Sequence, residues 1–158
     1  MAIYMKYGSV SGDVTTTGYQ DWIELDSFQW SIGRGIGSAA RGLENREASE
    51  PSISEIVVSK RMDVGSTGLV QDAWGGELNN TVTIKVTSTT KNGVIDFLEY
   101  DLENCGLSNY TLSTTGDMPI EQLSLNFTKI THRFKGLNPA TQGNPKSASY
   151  DLTQMKGS

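Results

Sequence analysis

The chain has 158 residues, 36% apolar and 20% charged, with 17 glycines and abundant serine and threonine, a profile that favours a β-rich domain with many turns over a helical one. A net charge of −5 excludes broad phosphate-backbone binding, which needs a basic surface, so nucleic acid is not an expected partner. The single cysteine, Cys105, excludes an intrachain disulfide, and no apolar run is long enough for a membrane span, so no membrane insertion is expected. One domain covering residues 1–158 is expected at this length.

The first residues, Met1–Tyr7, lack a basic segment followed by an apolar core. Synthesis in the cytoplasm without a cleaved signal peptide is therefore expected. Ile3, Met5 and Tyr7 alternate with Tyr4 and Lys6, which predicts a short first strand. A Ser/Thr/Gly connection from Gly8 to Gly18 leads into a long strand ending at Ile32. In it Ile23 and Leu25 are odd, whereas Phe28, Trp30 and Ile32 are even. Such a phase change predicts a β-bulge or a place where both faces are covered, and it suits a strongly curved sheet.

The stretch from Gly33 to Ser52 begins rich in glycine, ends rich in charge and has little periodicity. A loop of that length in a compact domain is uncommon and is usually functional or mobile. Ile53 to Arg61 reads as a strand, with Ile56, Val57 and Val58 apolar on both faces. Next comes the helix candidate: Ser66 as N-cap, Leu69/Ala73 and Val70/Trp74 at i,i+4, and Gly75-Gly76 as terminator. Leu69, Val70 and Trp74 are expected to plug one opening of the sheet.

Thr81 to Thr87 alternates cleanly, and Lys91-Asn92-Gly93 is a hairpin turn. Val94 to Asn104 is a strand with a second phase change, and Gly106 interrupts before Leu107 to Ser113. After the turn formers Thr115–Pro119, the segment to Phe134 places Leu123, Leu125 and Phe127 at odd positions and Ile130 and Phe134 at even ones. Lys135 to Ser149 reads as loop, and Tyr150 to Leu152 as a short terminal strand. There is no internal repeat and no linker.

Catalytic apparatus is not legible. His132 is the only histidine, and neither it nor Cys105 sits in a nucleophile signature. The residues for a zinc site are missing, and Gly33-Arg34-Gly35-Ile36-Gly37 lacks the spacing of a phosphate-cradling loop. No enzyme activity, no cofactor and no metal are expected. The pattern of strands, edges and one long loop points to a protein whose function is its own assembly.

Four ordered blocks carry a resemblance: Gly18-Tyr-Gln-Asp-Trp-Ile-Glu-Leu-Asp-Ser-Phe-Gln-Trp-Ser-Ile-Gly-Arg-Gly35, Ser54-Glu-Ile-Val-Val-Ser-Lys60, Tyr100-Asp-Leu-Glu-Asn104 and Gly116-Asp-Met-Pro-Ile-Glu-Gln-Leu-Ser-Leu-Asn-Phe-Thr-Lys-Ile130. With the short helix before Gly75 and the closing Tyr150–Lys156, they resemble the haemolysin-coregulated protein (Hcp) family. The resemblance implies a mainly β fold: a small β-barrel of two curved antiparallel sheets with one short α-helix, similar to phage tail-tube proteins. It also implies a structural subunit of the type VI secretion tube. Such subunits form homohexameric rings, and stacked rings make a tube that a contractile sheath drives out behind a tip spike. Some effectors travel in the ring lumen. The location implied is the bacterial cytoplasm before assembly, then secretion. Some relatives carry a further C-terminal effector domain, which is not expected here.

On this reading the aromatic face of the second strand belongs in the core. Gln29 and Ser31 then lie on a polar face whose family counterpart lines the lumen. Arg41, Glu44, Arg46, Glu47 and Glu50 suit salt-sensitive contacts between stacked rings. Two rivals share the composition: a non-catalytic, lectin-like β-sandwich binding module, and a small hydrolase using His132.

Overall fold

The computed structural model describes residues 1–37, 48–138 and 142–158. In chain order the elements are β1 (Ala2–Tyr7), β2 (Ile23–Leu25), β3 (Ser27–Gln29), β4 (Ile32–Gly33), β5 (Ser52–Ile53), β6 (Ile56–Arg61), α1 (Ser66–Gly75), β7 (Asn80–Thr90), β8 (Gly93–Ser113), β9 (Ile120–Asn126), β10 (Lys129–Phe134), β11 (Lys146–Asp151) and β12 (Lys156–Gly157). Every described strand pairing is antiparallel.

The pairings return on themselves. β1 lies between β2 and β7, β7 pairs with the first half of β8, and the second half of β8 pairs with β9. β9 pairs with β6, and β6 with β3. Only Asp26 separates β3 from β2, and its N–H donates to the Ser59 carbonyl at 2.7 Å. Two strands thus pass from one sheet to the other, and the result is a small barrel with β10, β11 and β12 extending one side.

The phase changes in the sequence mark the corners of this barrel. On β8, Tyr100 and Leu102 are buried at even positions, then Cys105 and Leu107 at odd ones. On the neighbouring chain, Leu125 and Phe127 are buried, then Ile130. Register across the change is continuous, with Gly106 opposite Asn126 and Glu103 opposite Lys129. No residue is inserted in one strand relative to the other, so both strands bend at the same level. Asn104 adopts φ 51° there, a left-handed conformation that asparagine tolerates, and its amide donates to Thr128 Oγ1 at 3.0 Å. A classical bulge does occur further along, between Leu107 and Asn109.

The core fills the barrel with Met5, Tyr7, Ile23, Leu25, Ile56, Val58, Val82, Ile84, Leu102, Leu123 and Leu125, closed by Leu69 of α1. Three local expectations are corrected. β8 runs 21 residues without interruption at Gly106; the glycine instead admits Leu78, whose Cδ2 lies 2.3 Å from where a Cβ would stand. β11 begins at Lys146, inside the segment read as loop, because a main-chain ladder to β10 forms without apolar alternation. The third concerns Ile32, which is 58% exposed rather than in the core, since the chain leaves the sheet there for β4.

Candidate assembly surface

β3, β6, β9 and the second half of β8 form a four-stranded layer. Strand alternation sends Phe28, Ile56, Val58, Leu123, Leu125 and Leu107 inward. The opposite residues line up in rows fixed by the register. One row is Ser27, Ser59, Gln122 and Thr111; the next is Gln29, Val57, Ser124 and Asn109. Neither row contains a charge. Ser27 and Ser59 hydroxyls are 2.5 Å apart, a hydrogen bond across the strands. Gln29 is exposed in the second row, and Ser31 is exposed two residues further along. The Ser31 main chain is clamped to β5–β6, its N–H donating to Ser54 Oγ at 2.8 Å and its carbonyl accepting from Ser54 N–H at 2.9 Å.

Both margins of this layer lack a strand partner among the described residues. β3 is paired only on its β6 side, and β8 beyond Cys105 only on its β9 side. The first donor on the β8 margin, Leu107 N–H, is taken by Asp72 Oδ2 of α1 at 3.3 Å. An unpaired main-chain row is a template for another strand.

Past Ser31 the chain projects as a two-stranded ribbon. β4 pairs with β5, and further out Ile36 bridges Ala48 while Ser49 N–H donates to the Gly35 carbonyl at 2.8 Å. The base of the stretch read as an aperiodic loop is therefore a ladder, held by main chain and serine hydroxyls that leave no hydrophobic period. Glu50 lies exposed on its return; Arg41, Glu44, Arg46 and Glu47 lie outside the described residues.

The helix ends at Gly75-Gly76 as expected but departs from expectation at its N-cap and in what it buries. Gly65 holds the N-cap position, and Ser66 is buried in the first turn. Its hydroxyl donates to Glu121 Oε1 at 2.6 Å and accepts from Lys60 Nζ at 3.2 Å. Lys60 and Glu121 are both fully buried and 2.6 Å apart, with Asp63 on the other side of the ammonium at 3.0 Å and Tyr110 O–H donating to Glu121. Burial would push the Glu121 carboxyl up, but the donors Lys60, Ser66 and Tyr110 hold it below the usual carboxylate range. Sequence parity carried a signal for this pair: Lys60 shares its phase with Ile56 and Val58, and Glu121 with Leu123 and Leu125. At the other end Trp74, expected inside, is 78% exposed.

A second polar cluster covers the outer face of β7, β8 and β10. Asp96, Glu99 and Asp101 meet Lys85, Arg133 and Lys135 there, with the Lys85 ammonium over the rings of Tyr19 and Trp22. Burial raises the Asp96 carboxyl, but hydrogen bonding to Lys135 and the charge of Lys85 bring it below the usual range. These charges compensate one another, which makes this face a closed network.

Nucleophilic chemistry finds no geometry here. Burial pushes the Cys105 thiol up to about 12, so it carries no thiolate at neutral pH. His132 Nδ1 is 2.9 Å from the Tyr100 hydroxyl and packs edge-on against that ring. Among the described residues no group of three or more His, Cys, Asp or Glu is placed to hold a metal.

The barrel therefore presents two uncharged rows, two unpaired margins and a projecting ribbon. The Hcp family of type VI secretion system effectors matches residues 4–134. The chain belongs to that family. The Hcp family comprises structural tube subunits and not enzymes, and membership makes the chain a secreted type VI secretion protein. No curated protein matches the sequence. A solved type six secretion system protein is similar over 99% of both chains, at 23% identity and a TM-score of 0.88. Hcp1 from Salmonella typhimurium is similar over 99% of this chain and 98% of its own, at 16% identity and 0.77. A chain of the anti-feeding prophage baseplate, a sixfold-symmetrised assembly, shares the fold over 82% of this chain and 89% of its own at 6% identity and 0.51. No described helix is long and apolar enough to cross a membrane.

Proposed function

We propose that this protein, a single domain over residues 1–158, is the ring-forming subunit of the type VI secretion inner tube. Six copies join side by side, each placing the β8 margin of its four-stranded layer against the β3 margin of the next. The sheet continues around the ring, its neutral rows face the lumen, and cargo slides past Gln29 and Ser31. Rings stack through the segment between Gly33 and Ser52, using Arg41, Glu44, Arg46, Glu47 and Glu50. The tube is wrapped by a sheath, tipped by a spike, loaded in the cytoplasm and expelled with its effectors.

The observation that carries this reading is the pair of unpaired margins on one layer. β3, β6, β9 and β8 alternate in direction, so β8 runs opposite to β3. Copies related by rotation then meet antiparallel at every joint, the stronger of the two pairing modes. A head-to-tail joint of this kind closes into a ring when the rotation divides a full turn. The two central rows repel neither sign of cargo, and the exposed Glu55 and Arg61, in phase with Val57 and Ser59, flank them with one charge of each sign.

Light scattering on the purified protein, with negative-stain imaging, tests the reading. The expected result is a sixfold ring at micromolar concentration. A stable monomer over that range refutes it. Shortening the ribbon beyond Ile36 and Ala48 is expected to leave rings intact and abolish tubes and secretion; normal stacking after shortening refutes its assigned role.

A further inference from the structure

An apolar cleft of about 400 Å³ opens beside the β3 margin, lined chiefly by Trp30, Ile32, Ile53, Ile130 and Tyr150, with His132 and Ser149 as its polar members. It lies where the chain leaves the four-stranded layer for the ribbon. Ile32, at its mouth, is 58% exposed. The Tyr150 hydroxyl is buried and makes no hydrogen bond with any described residue.

A complementary surface lies beside the other margin. Trp74 is 78% and Leu78 63% exposed, on the end of α1 and the turn after it. Leu78 lies against Gly106, and Asp72 accepts from Leu107 N–H. Leu78 is thereby held at the start of the unpaired β8 margin, and Trp74 stands on the last turn of the helix that Asp72 ties to it. Exposed apolar side chains of this size, on a helix end and the turn after it, mark a candidate interaction site.

Strand direction decides what these two surfaces meet. In an antiparallel joint the end of β3, leading into Trp30 and Ile32, lies opposite the beginning of the β8 margin at Gly106 and Leu107. That places the cleft of one copy next to Trp74 and Leu78 of its neighbour. We infer that Trp74, supported by Leu78, inserts into the cleft of the adjacent copy and locks the ring joint. The indole N–H is a donor of the kind the Tyr150 hydroxyl lacks in the isolated chain, and the ring area suits a pocket lined almost wholly by carbon. The joint would then have two parts: main-chain pairing, which any strand edge provides, and an anchor that accepts only the correct neighbour. This inference rests on the edge-to-edge ring proposed above.

Paired cysteines at Leu78 and Ile32 test it, with Trp74→Asp as an independent probe at a site too exposed to affect folding. Under mild oxidation Leu78→Cys/Ile32→Cys is expected to give a covalent ladder ending at the hexamer, and either single variant no ladder. Trp74→Asp is expected to raise the concentration at which half the rings dissociate at least tenfold by light scattering. Native rings without a ladder, together with a Trp74→Asp midpoint within twofold of the parent, overturn the anchor and leave the ring standing. A native monomer overturns both. Intact Trp74→Asp rings, with Ile32→Asp alone losing export of another protein, assign the cleft to cargo and overturn the inference.

Discussion

Replacing Glu121 by leucine tests the buried ion pair. The substitution leaves the Lys60 ammonium without its 2.6 Å partner and removes the acceptor used by Ser66 and Tyr110. Breaking one side of a buried pair costs about 3–5 kcal/mol. Asp63 still meets the ammonium at 3.0 Å from a position close to solvent, which puts the expected loss near the lower figure, about 3 kcal/mol. For a chain of this size that corresponds to roughly 6–12 °C in Tm. Lys60→Met with Glu121→Leu removes both charges and is expected to recover part of the loss, melting above the Glu121→Leu variant. The assay is thermal unfolding by circular dichroism at neutral pH, at matched subunit concentration because ring dissociation contributes to the transition. A double variant melting below the single, or a single variant within about 2 °C of the parent (less than about 1 kcal/mol), refutes the account of an obligatory pair.

Acid stability follows from the same carboxylate. Its folded pKa is depressed, so the unfolded chain binds its proton first; its stabilisation is present above the unfolded value of about 4.3 and is lost as pH falls below it. Glu121→Gln is therefore expected to flatten the fall in Tm on acidification, and an unchanged profile refutes that. In Gly12→Ala the new Cβ meets the Trp22 carbonyl oxygen at 2.3 Å, main chain that cannot swing aside; a loss of about 1–3 kcal/mol is expected, and an unchanged Tm refutes it. Iodoacetamide at about pH 8 should leave Cys105 unlabelled in the folded protein and label it fully in denaturant; rapid native labelling would overturn the buried, protonated thiol. Gln29→Glu or Ser31→Glu is expected to leave rings intact and lower export of at least one co-secreted protein, measured by mass spectrometry of culture supernatants with the tube protein as control.

The barrel was legible wherever apolar residues alternate. Leu123, Leu125, Phe127 and Ile130 announced both their strand and its corner, because burial on a pleated surface leaves a period of two. β11 left no such mark: its exposed Lys, Ser and Ala residues are held by main-chain bonds that are blind to side chains. Trp74 was misread because i,i+4 spacing with Val70 defines a helix face without saying whether anything covers it. Ser66 looked like a cap because its partners, Lys60 and Glu121, sit on strands that sequence distance does not relate. Gln29 was placed on the polar face by parity alone. Its neighbours across the sheet, Val57, Ser124 and Asn109, needed the register.

The closure of the barrel also bears on how the chain reaches it. β7, β8 and β9 follow one another and pair locally, whereas β1 finds β7 only across the Ala2–Thr87 separation and β6 finds β9 across Arg61–Ile120. Closing such long loops costs entropy before any contact forms, so the local meander is expected to organise first and the N-terminal strands to arrive last. Until they do, the hydrophobic side of the meander is open to other chains. Pulsed hydrogen exchange during refolding should show β7 and β8 amides protected before those of β1 and β3, and simultaneous protection would argue against a late N-terminus. The slow step in supplying the tube would then be the final stitch of each subunit.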